Sequence, residues 1–317
     1  VGLVGFLPMR SKVINSVQVG TKFYTNSIWW KKDETPYNNY RGSNTARGIF
    51  LTKGENMIET EIIHGDCIEE MSKINNNSID LTVTSPPYDK LRSYEGSLQW
   101  NESVWKQVFK QLYRITKEGG VVVWVVGDAT INGSETGTSF EQALYAKSTG
   151  FNLHDTMIFK KETPTWNISS RRYRQNLEFM FILSKGQVKT FNPIEDQKVK
   201  NLKPRICKSN RNGTPKYQLY TPKKSHTCRG NIWSYAVGGK KVNHPAVFPE
   251  KLATDHILSW SNEGDTVLDP FLGSGTTGVA SLQLNRKFIG IEKVKKYFNL
   301  ANERIKNVQP SLLTIGS

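Results

Sequence analysis

The stretch VLDPFLGSGTTG, residues 267–278, places a glycine-rich turn between an apolar strand and the start of a helix. Gly273 and Gly275 lack the Cβ atoms that would keep a ligand away from the backbone. The helix that follows offers unpaired N–H groups and a partial positive charge at its N-terminus. This stretch therefore predicts a strand–turn–helix unit that binds a phosphate or a carboxylate.

Two acidic residues accompany the turn. Glu292 lies 19 residues after Gly273, at the end of the next apolar strand, where an acidic side chain usually binds ribose hydroxyls. Together with Asp269, it favours a nucleoside cofactor over a turn that only connects two elements. The GxGxxG match also fits a dinucleotide, but the 25 residues after Glu292 are too few for the rest of a dinucleotide fold. The other half of the sheet must then come from upstream sequence.

Upstream of the turn, apolar runs alternate with helical periodicity. IETEIIHGD (58–66), IDLTVTS (79–85) and VVVWVVGD (121–128) have the pattern of buried strands, and residues 101–117 carry apolar side chains at helical spacing. This alternation predicts an α/β fold with a three-layer, mainly parallel sheet. The segment 186–243 is basic and weakly periodic, so we expect it to be an irregular insertion.

Charge and cysteine content limit the kind of protein. Residues 151–245 carry a net charge of +14 out of +15 for the chain, which is typical of a surface for a polyanion, with nucleic acid as the leading candidate. The three cysteines are scattered and odd in number, and His226-Thr227-Cys228 lacks the second ligand pair of a metal site. The apolar opening VGLVGFLPM is too short to cross a membrane. We therefore expect a cytoplasmic protein without a metal.

The predicted strand IDLTVTS leads directly into a rigid corner. The sequence TSPPYDK, residues 84–90, contains two consecutive prolines, which can neither continue a helix nor donate to a sheet. Loops that bind ligands in an open α/β sheet lie at the carboxyl ends of its strands. The corner and the glycine turn are therefore expected to share one rim of the sheet.

These motifs resemble those of the amino-methylating DNA methyltransferases that use S-adenosylmethionine, in the order with the catalytic motif before the cofactor motif. The family tetrapeptide (S/N/D)PP(Y/F/W) matches residues 85–88, and its FxGxG motif matches residues 271–275. Gly65-Asp66-Cys67 and the HPAxFPE stretch at 244–250 match two further motifs in the expected order. The resemblance covers about Met57 to Asn307.

The resemblance implies a Rossmann-like methyltransferase sheet, a double-stranded DNA substrate and S-adenosylmethionine as cofactor. It implies that Ser85 and the carbonyl of Pro86 accept hydrogen bonds from the target amine, that Pro87 keeps the corner rigid, and that Tyr88 stacks on the base. The cofactor-binding residues that it implies are Asp66, Phe248, Asp269, Phe271, Gly273, Ser274, Gly275, Thr276 and Glu292.

The first position of the tetrapeptide partly sorts this family by target base. Serine, as at Ser85, resembles the enzymes that methylate N4 of cytosine, whereas aspartate or asparagine more often accompanies methylation of N6 of adenine. We therefore expect cytosine N4, with adenine N6 as the close alternative. Three other classes stay open. An NAD-dependent oxidoreductase would use the same glycine turn, and a DNA-binding protein without catalysis would use the basic segment. An RNA methyltransferase is the third, because basic charge does not distinguish DNA from RNA.

The basic surplus supplies the candidate DNA contacts. Lysines mostly touch phosphates, whereas an arginine can bind guanine through two hydrogen bonds. The candidates are Arg171, Arg172, Arg174, Arg205, Lys208, Arg211, Lys223, Lys224 and Arg229. The sequence leaves open whether a cognate restriction endonuclease accompanies the protein in a restriction-modification system, and whether the chain forms a homodimer.

The chain divides into four parts on these grounds. Residues 1–56 have no assigned fold, 57–185 form the catalytic half, 186–243 the target-recognition insertion, and 244–317 the cofactor-binding half. Because the resemblance begins at Met57, we expect residues 1–56 to be an appended segment that methylation does not need.

Overall fold

The structure is a computed structural model. It describes residues 57–87, 100–162, 171, 173–200, 203–209, 216–220, 224–237 and 249–308, together with the backbone of the strand segments 17–19, 22–24, 29–31 and 45–51.

The helices in these ranges are α1 (Cys67–Ser72), α2 (Glu102–Ile115), α3 (Thr138–Thr149), α4 (Glu250–Trp260), α5 (Thr276–Gln283) and α6 (Lys295–Lys306). The strands are β1 (Val17–Val19), β2 (Lys22–Tyr24), β3 (Trp29–Lys31), β4 (Thr45–Leu51), β5 (Met57–His64), β6 (Ile79–Thr84), β7 (Thr116–Val126), β8 (Thr130–Ile131), β9 (Ser134–Glu135), β10 (Asn152–Lys161), β11 (Leu177–Ser184), β12 (Gln197–Lys198), β13 (Arg205–Ser209), β14 (Lys216–Tyr220), β15 (His226–Thr227), β16 (Ile232–Tyr235), β17 (Thr266–Asp269) and β18 (Lys287–Glu292). Within the described ranges, none of the helices has the length and apolar character needed to cross a membrane.

One sheet contains ten of these strands, in the order β16-β10-β11-β7-β6-β17-β18-β5-β4-β3. Its central strands β7, β6, β17, β18 and β5 run parallel, whereas β11 and β4 pair antiparallel with the outer members of this group. The late strands β17 and β18 lie between the early strands β5 and β6. Parallel strands place their carboxyl ends together, so the loops after all five strands lie at one rim of the sheet.

Helices cover both faces of this sheet. Along β7, Val121, Val123 and Val125 pack into the core that contains α4, α5 and α6. The alternate residues Val122, Trp124 and Val126 pack into a second core with α1, α2 and α3. This alternation follows from the two-residue period of a strand. The three-layer α/β prediction is therefore confirmed, with a parallel centre and mixed edges.

The segment 186–243 is less irregular than its sequence indicates. Its described part contains two antiparallel pairs, β12 with β15 and β13 with β14, and β16 joins the main sheet beside β10. These strands are two to five residues long, which is too short to produce a clear alternation of apolar and polar residues.

Part of the N-terminal segment also joins the main sheet. Strand β4 pairs antiparallel with β5, from Thr45 opposite Ile63 to Leu51 opposite Met57, and β3 pairs with β4. Residues within 1–56 therefore cover an edge of β5 that would otherwise present unpaired backbone groups.

We expect a chain that begins at Met57 to keep methyl transfer, because the motifs that carry the resemblance all follow this residue. Its free energy of unfolding should fall by about 1–3 kcal/mol, since β5 loses its antiparallel partner. A chain that begins at Asn44 keeps β4 and is the matched control. Denaturant unfolding and a methylation assay on the two chains check this, and loss of methylation in the Met57 chain would contradict it.

Candidate active site

The proline corner and the glycine turn meet at the carboxyl rim of the sheet. Thr84, the last residue of β6, donates its hydroxyl to Asp269 Oδ1 at the end of β17 over 2.7 Å. Thr277, in the first turn of α5, donates to the carbonyl of Val83 over 3.4 Å. The prediction that the two loops share one rim is thus confirmed.

The corner leaves β6 directly beside the turn. Ser85 and Pro87 are half-buried and Pro86 is buried. One side of the corner therefore packs against the rest of the protein as the chain leaves the sheet. Tyr88, the fourth residue of the tetrapeptide, lies outside the described residues, as does Phe248. The sequence after Thr84 therefore brings at least the serine and the two prolines to the rim where Asp269 lies.

Packing against α6 explains one of the glycines in the turn. Gly275 has a φ of 83°, a left-handed conformation that favours glycine. A Cβ atom at this position would lie 3.0 Å from Ala301 Cβ, so the absence of a side chain allows α6 to approach. Gly273 also has a positive φ, 53°. The glycine at 275 thus serves helix packing, in addition to any approach of a ligand.

Residues that the sequence analysis missed support the turn from outside. Arg304, in the last turn of α6, donates to the carbonyl and to the hydroxyl of Ser274, the latter over 2.9 Å. Trp100 and Trp124 pack edge-on against Phe271 of the turn, with ring centroids 5.4 and 6.2 Å from that of Phe271. An arginine on an amphipathic helix carries no sequence signal of such a role, because only the fold brings α6 to the turn.

The two carboxylates at this rim are buried. Glu292 is 8% exposed and accepts hydrogen bonds from the backbone N–H groups of Gly273 and Val294, each over 2.8 Å. Burial raises the pKa of Glu292 to about 7 and that of Asp269 to about 6. Asp269 accepts from Phe271 N over 3.1 Å as well as from Thr84. Perturbed carboxyl groups at the strand ends of an α/β sheet are typical of a functional site.

A third acidic residue lies at the same rim. Asp66 caps α1 by accepting from Ile68 N over 2.9 Å, and its other oxygen lies 3.1 Å from Lys293 Nζ. Gly65 N donates to the carbonyl of Glu292 over 3.1 Å, which joins the end of β5 to the end of β18. The rim thus unites Asp66, Asp269 and Glu292 with buried Ser274 and Thr276 at the N-terminus of α5. Acceptors for hydroxyl groups beside a helix N-terminus fit a cofactor with a ribose and a carboxylate.

A family model described as DNA methylase, for N6 and N4 methyltransferases, matches residues 79–303. The chain belongs to this DNA methylase family. The orphan methyltransferase M.BamHII of Bacillus amyloliquefaciens is 51% identical over 244 residues, which are 73% of this chain and 89% of the relative. The type II methyltransferase M2.DpnII of Streptococcus pneumoniae is 28% identical over 82% of this chain and 94% of its own.

Solved structures agree with the family. The M1.HpyAVI complex with S-adenosylmethionine is 25% identical, with a TM-score of 0.52 over 77% of this chain and 99% of that one. The PvuII DNA methyltransferase, described as cytosine-N4-specific, is 19% identical and shows the same fold, with a TM-score of 0.61 over 80% of this chain and 88% of that one. This DNA methylase therefore depends on S-adenosylmethionine, and the oxidoreductase, non-catalytic and RNA-modifying alternatives are set aside.

Two candidate DNA contacts of this DNA methylase lie on a connection at the carboxyl rim of the sheet. Strand β11 runs antiparallel to β7, with Phe179 opposite Val126, so the connection from β10 to β11 emerges beside the carboxyl end of β7. Arg171 and Arg174 lie on this connection and are exposed. Lys224 is exposed in the insertion and pairs with Glu195 over 2.7 Å. Arg205 and Lys208 lie on β13, and the structure describes only their backbone. The other candidates, Arg172, Arg211 and Lys223, fall outside the described residues.

Arg229 has a placement that differs from the other candidates. Its side chain is 13% exposed and donates to Asp255 on α4 over 2.6 Å and to Asp196. Asp255 also accepts from Tyr235 over 2.8 Å, and the guanidinium lies 5.1 Å from the ring centre of Trp233. The hydrogen bond from Arg229 lowers the pKa of Asp196. With both carboxylate partners in place, this guanidinium has a structural role that the sequence analysis did not expect.

We expect Glu292→Gln to change how stability depends on pH. The native carboxyl titrates near pH 7 and the unfolded one near its ordinary value, so between about pH 4.5 and 7 the native state holds a proton that the unfolded chain has lost. The free energy of unfolding therefore falls as pH rises through this window, by about 2 kcal/mol more in the wild type than in the variant. Urea unfolding from pH 5 to pH 8 measures this, with Glu69→Gln, an exposed site, as control. Equal slopes in wild type and Glu292→Gln would exclude the effect.

We expect Arg229→Gln to destabilise the protein by about 1–3 kcal/mol, because the buried Asp255 loses its closest cation and keeps the largely exposed Lys251, 3.1 Å away, as its ion-pair partner. The salt dependence of DNA binding should not change, since a lost phosphate contact would reduce the slope by about 0.9. Lys224→Gln is the comparison variant, with the reduced slope and unchanged stability expected of a surface contact. A reduced slope without destabilisation for Arg229→Gln would show that Arg229 contacts DNA directly.

Proposed function

We propose that this DNA methylase transfers a methyl group from S-adenosylmethionine to N4 of cytosine at a specific site in double-stranded DNA. The observation that carries the proposal is Ser85, which follows β6 at the rim where Thr84 bonds to Asp269 of the glycine turn. A serine at this motif position is the feature by which the chain resembles the cytosine-N4 enzymes.

The chemistry explains why hydrogen-bond acceptors are needed at this corner. The lone pair of an exocyclic amine is delocalised into the ring, which makes the nitrogen a poor nucleophile. Acceptors aimed at both amine hydrogens favour the pyramidal, reactive geometry as positive charge develops on nitrogen. We assign these roles to Ser85 Oγ and to the carbonyl of Pro86. The prolines hold this carbonyl in place, because each fixes its own φ angle.

Access to the amine requires the base to leave the duplex. Unstacking costs roughly a few kcal/mol, and stacking on an aromatic ring offsets part of that cost. We assign this role to Tyr88, which directly follows the corner. No covalent intermediate on the protein is needed, since the residues at the rim act by binding and orienting the base.

The rim has the groups that would hold the cofactor, which supplies an activated sulfonium methyl when bound. Glu292 and Asp269 offer carboxylate oxygens to hydroxyl groups, and the start of α5 at Thr276 offers a partial positive charge to a carboxylate. Asp66, Phe271, Gly273, Ser274 and Gly275 line the same rim, and Phe248 is assigned with them from the HPAxFPE motif. A cofactor hydroxyl that donates to Glu292 favours its ionised form.

Adenine N6 is the second candidate target, because some adenine enzymes also have a serine at this motif position. We further propose that the exposed Arg171 and Arg174 at the rim, and Lys224 in the insertion, contact phosphates. The name orphan methyltransferase for the 51% relative favours activity without a dedicated endonuclease, whereas the name type II methyltransferase for M2.DpnII favours a restriction-modification partner.

Nucleoside mass spectrometry tests the reaction and the base in one experiment. We expect incubation of the full chain with labelled S-adenosylmethionine and mixed-sequence duplex DNA to yield N4-methyldeoxycytidine. N6-methyldeoxyadenosine as the only product would transfer the assignment to adenine, and absence of label in DNA would refute methyl transfer.

We expect Ser85→Ala to lower kcat by about 100-fold, because one acceptor for the amine hydrogens is lost. The affinity for S-adenosylmethionine should stay within about twofold, since Ser85 is assigned to the base and makes no assigned contact to the cofactor. Ser103→Ala, at an exposed position of α2, is the matched control. An unchanged kcat in Ser85→Ala would remove the serine from the mechanism.

A further inference from the structure

The basic insertion contains an antiparallel arm that extends from the core. At its base, Arg229 N donates to the carbonyl of Ile194 over 3.0 Å. Further out, β12 pairs with β15, and Val199 N donates to the carbonyl of Ser225 over 2.9 Å. Strands β13 and β14 form the outer pair. We call residues 197–227 the recognition arm.

The base of the recognition arm is fixed to the catalytic core. Asp196 precedes the arm and Arg229 follows it, and the two side chains form an ion pair. Arg229 also binds Asp255 of α4, which accepts a hydrogen bond from Tyr235 of the main sheet. Because these groups come from both ends of the arm and from the core, they hold its direction relative to the active site.

The outer pair presents apolar side chains to solvent. Ile206 and Leu219 lie directly opposite each other in the β13–β14 register and are 72% and 71% exposed. Tyr217 is 66% exposed. In the described part of the chain, β13 and β14 pair with no other strand. A cross-strand pair of large aliphatic side chains in water is typical of a surface that a partner covers.

The charge of the arm favours DNA as that partner. Residues 197–227 contain nine Lys and Arg and no Asp or Glu. The exposed apolar face of β13 and β14 thus lies in a segment whose charged residues are all basic. A partner that fits this segment is a polyanion with apolar groups on its surface. The major groove of DNA fulfils both conditions, since it admits a two-stranded ribbon between phosphate chains and exposes the C5-methyl group of each thymine.

We propose that the β13–β14 ribbon enters the major groove beside the target base, where Ile206 and Leu219 contact thymine methyl groups and so help to set the recognised sequence. The inference rests on the proposed methylation of DNA. It assigns the basic side chains of the arm to phosphate contacts, and it assigns Arg229 to the position of the arm, as a positioning residue without a DNA contact.

Replacing thymine by deoxyuridine tests this contact, because uracil lacks only the C5-methyl group. The sequence preference is first determined by methylating a random duplex pool and sequencing the modified molecules. Each thymine of the preferred site is then replaced singly by deoxyuridine, and kcat/KM is measured. We expect a loss of about fivefold at one or more positions for the wild type. Ile206→Ala or Leu219→Ala should lower kcat/KM on thymine DNA and remove the difference between thymine and uracil at that position.

A matched control separates this contact from a general loss of apolar surface. Leu144→Ala changes a side chain on α3 that is 65% exposed, and it should keep the thymine–uracil ratio of the wild type. Binding of S-adenosylmethionine should be unchanged in the two ribbon variants, which shows that the core remains folded.

Several outcomes would overturn the inference. A wild type that does not distinguish thymine from uracil, a preferred site without thymine, or ribbon variants that keep the ratio would each do so. If the variants keep the ratio but change the molar mass in light scattering, the apolar face binds a second copy of the chain. If the wild type methylates no duplex at all, the proposed function itself fails.

Discussion

The parallel pairing of β6 with β17 is the constraint on which the active site depends. It brings Thr84 to Asp269, residues 185 apart in the sequence, and joins them by a buried hydrogen bond of 2.7 Å. Neither half of the chain forms this sheet alone, because β17 and β18 lie between β5 and β6. The proline corner and the glycine turn, to which we assign the base and the cofactor, are therefore brought to one rim by the pairing of the late strands between the early ones.

Burial of two acidic side chains at this rim lowers the free energy of unfolding, and it places their oxygens at the candidate active site. Asp269 and Glu292 are buried carboxyl groups whose pKa values are raised, because burial disfavours their ionised forms. Backbone N–H groups of the glycine turn and of Val294 partly replace the lost water around Glu292. Burying such acidic groups at a strand end costs free energy on folding, whereas their oxygens can bind hydroxyl groups. This trade-off is usual at functional sites.

Positive charge in this protein serves two separate purposes. At Arg229 it is half-buried, paired with two carboxylates and close to the ring of Trp233, so that it holds two segments of the chain together. At Arg171, Arg174 and Lys224 it is exposed to solvent, in positions that we assign to phosphate contacts. The number of basic residues in a segment does not separate these purposes, since both contribute equally to its net charge.

The sequence by itself determined the features that depend on neighbouring residues: the proline corner at 85–87, the glycine turn at 273–275, the spacing to Glu292 and the order of strands and helices. Each follows from local sterics or periodicity, which the chain carries at every stage of folding. Only the tertiary structure decided that Arg304 supports Ser274, that Gly275 makes room for α6, and that Arg229 lies between Asp196 and Asp255. These contacts join residues far apart in the sequence or on different faces, and no local pattern specifies which of many arginines or glycines the packing will bring together.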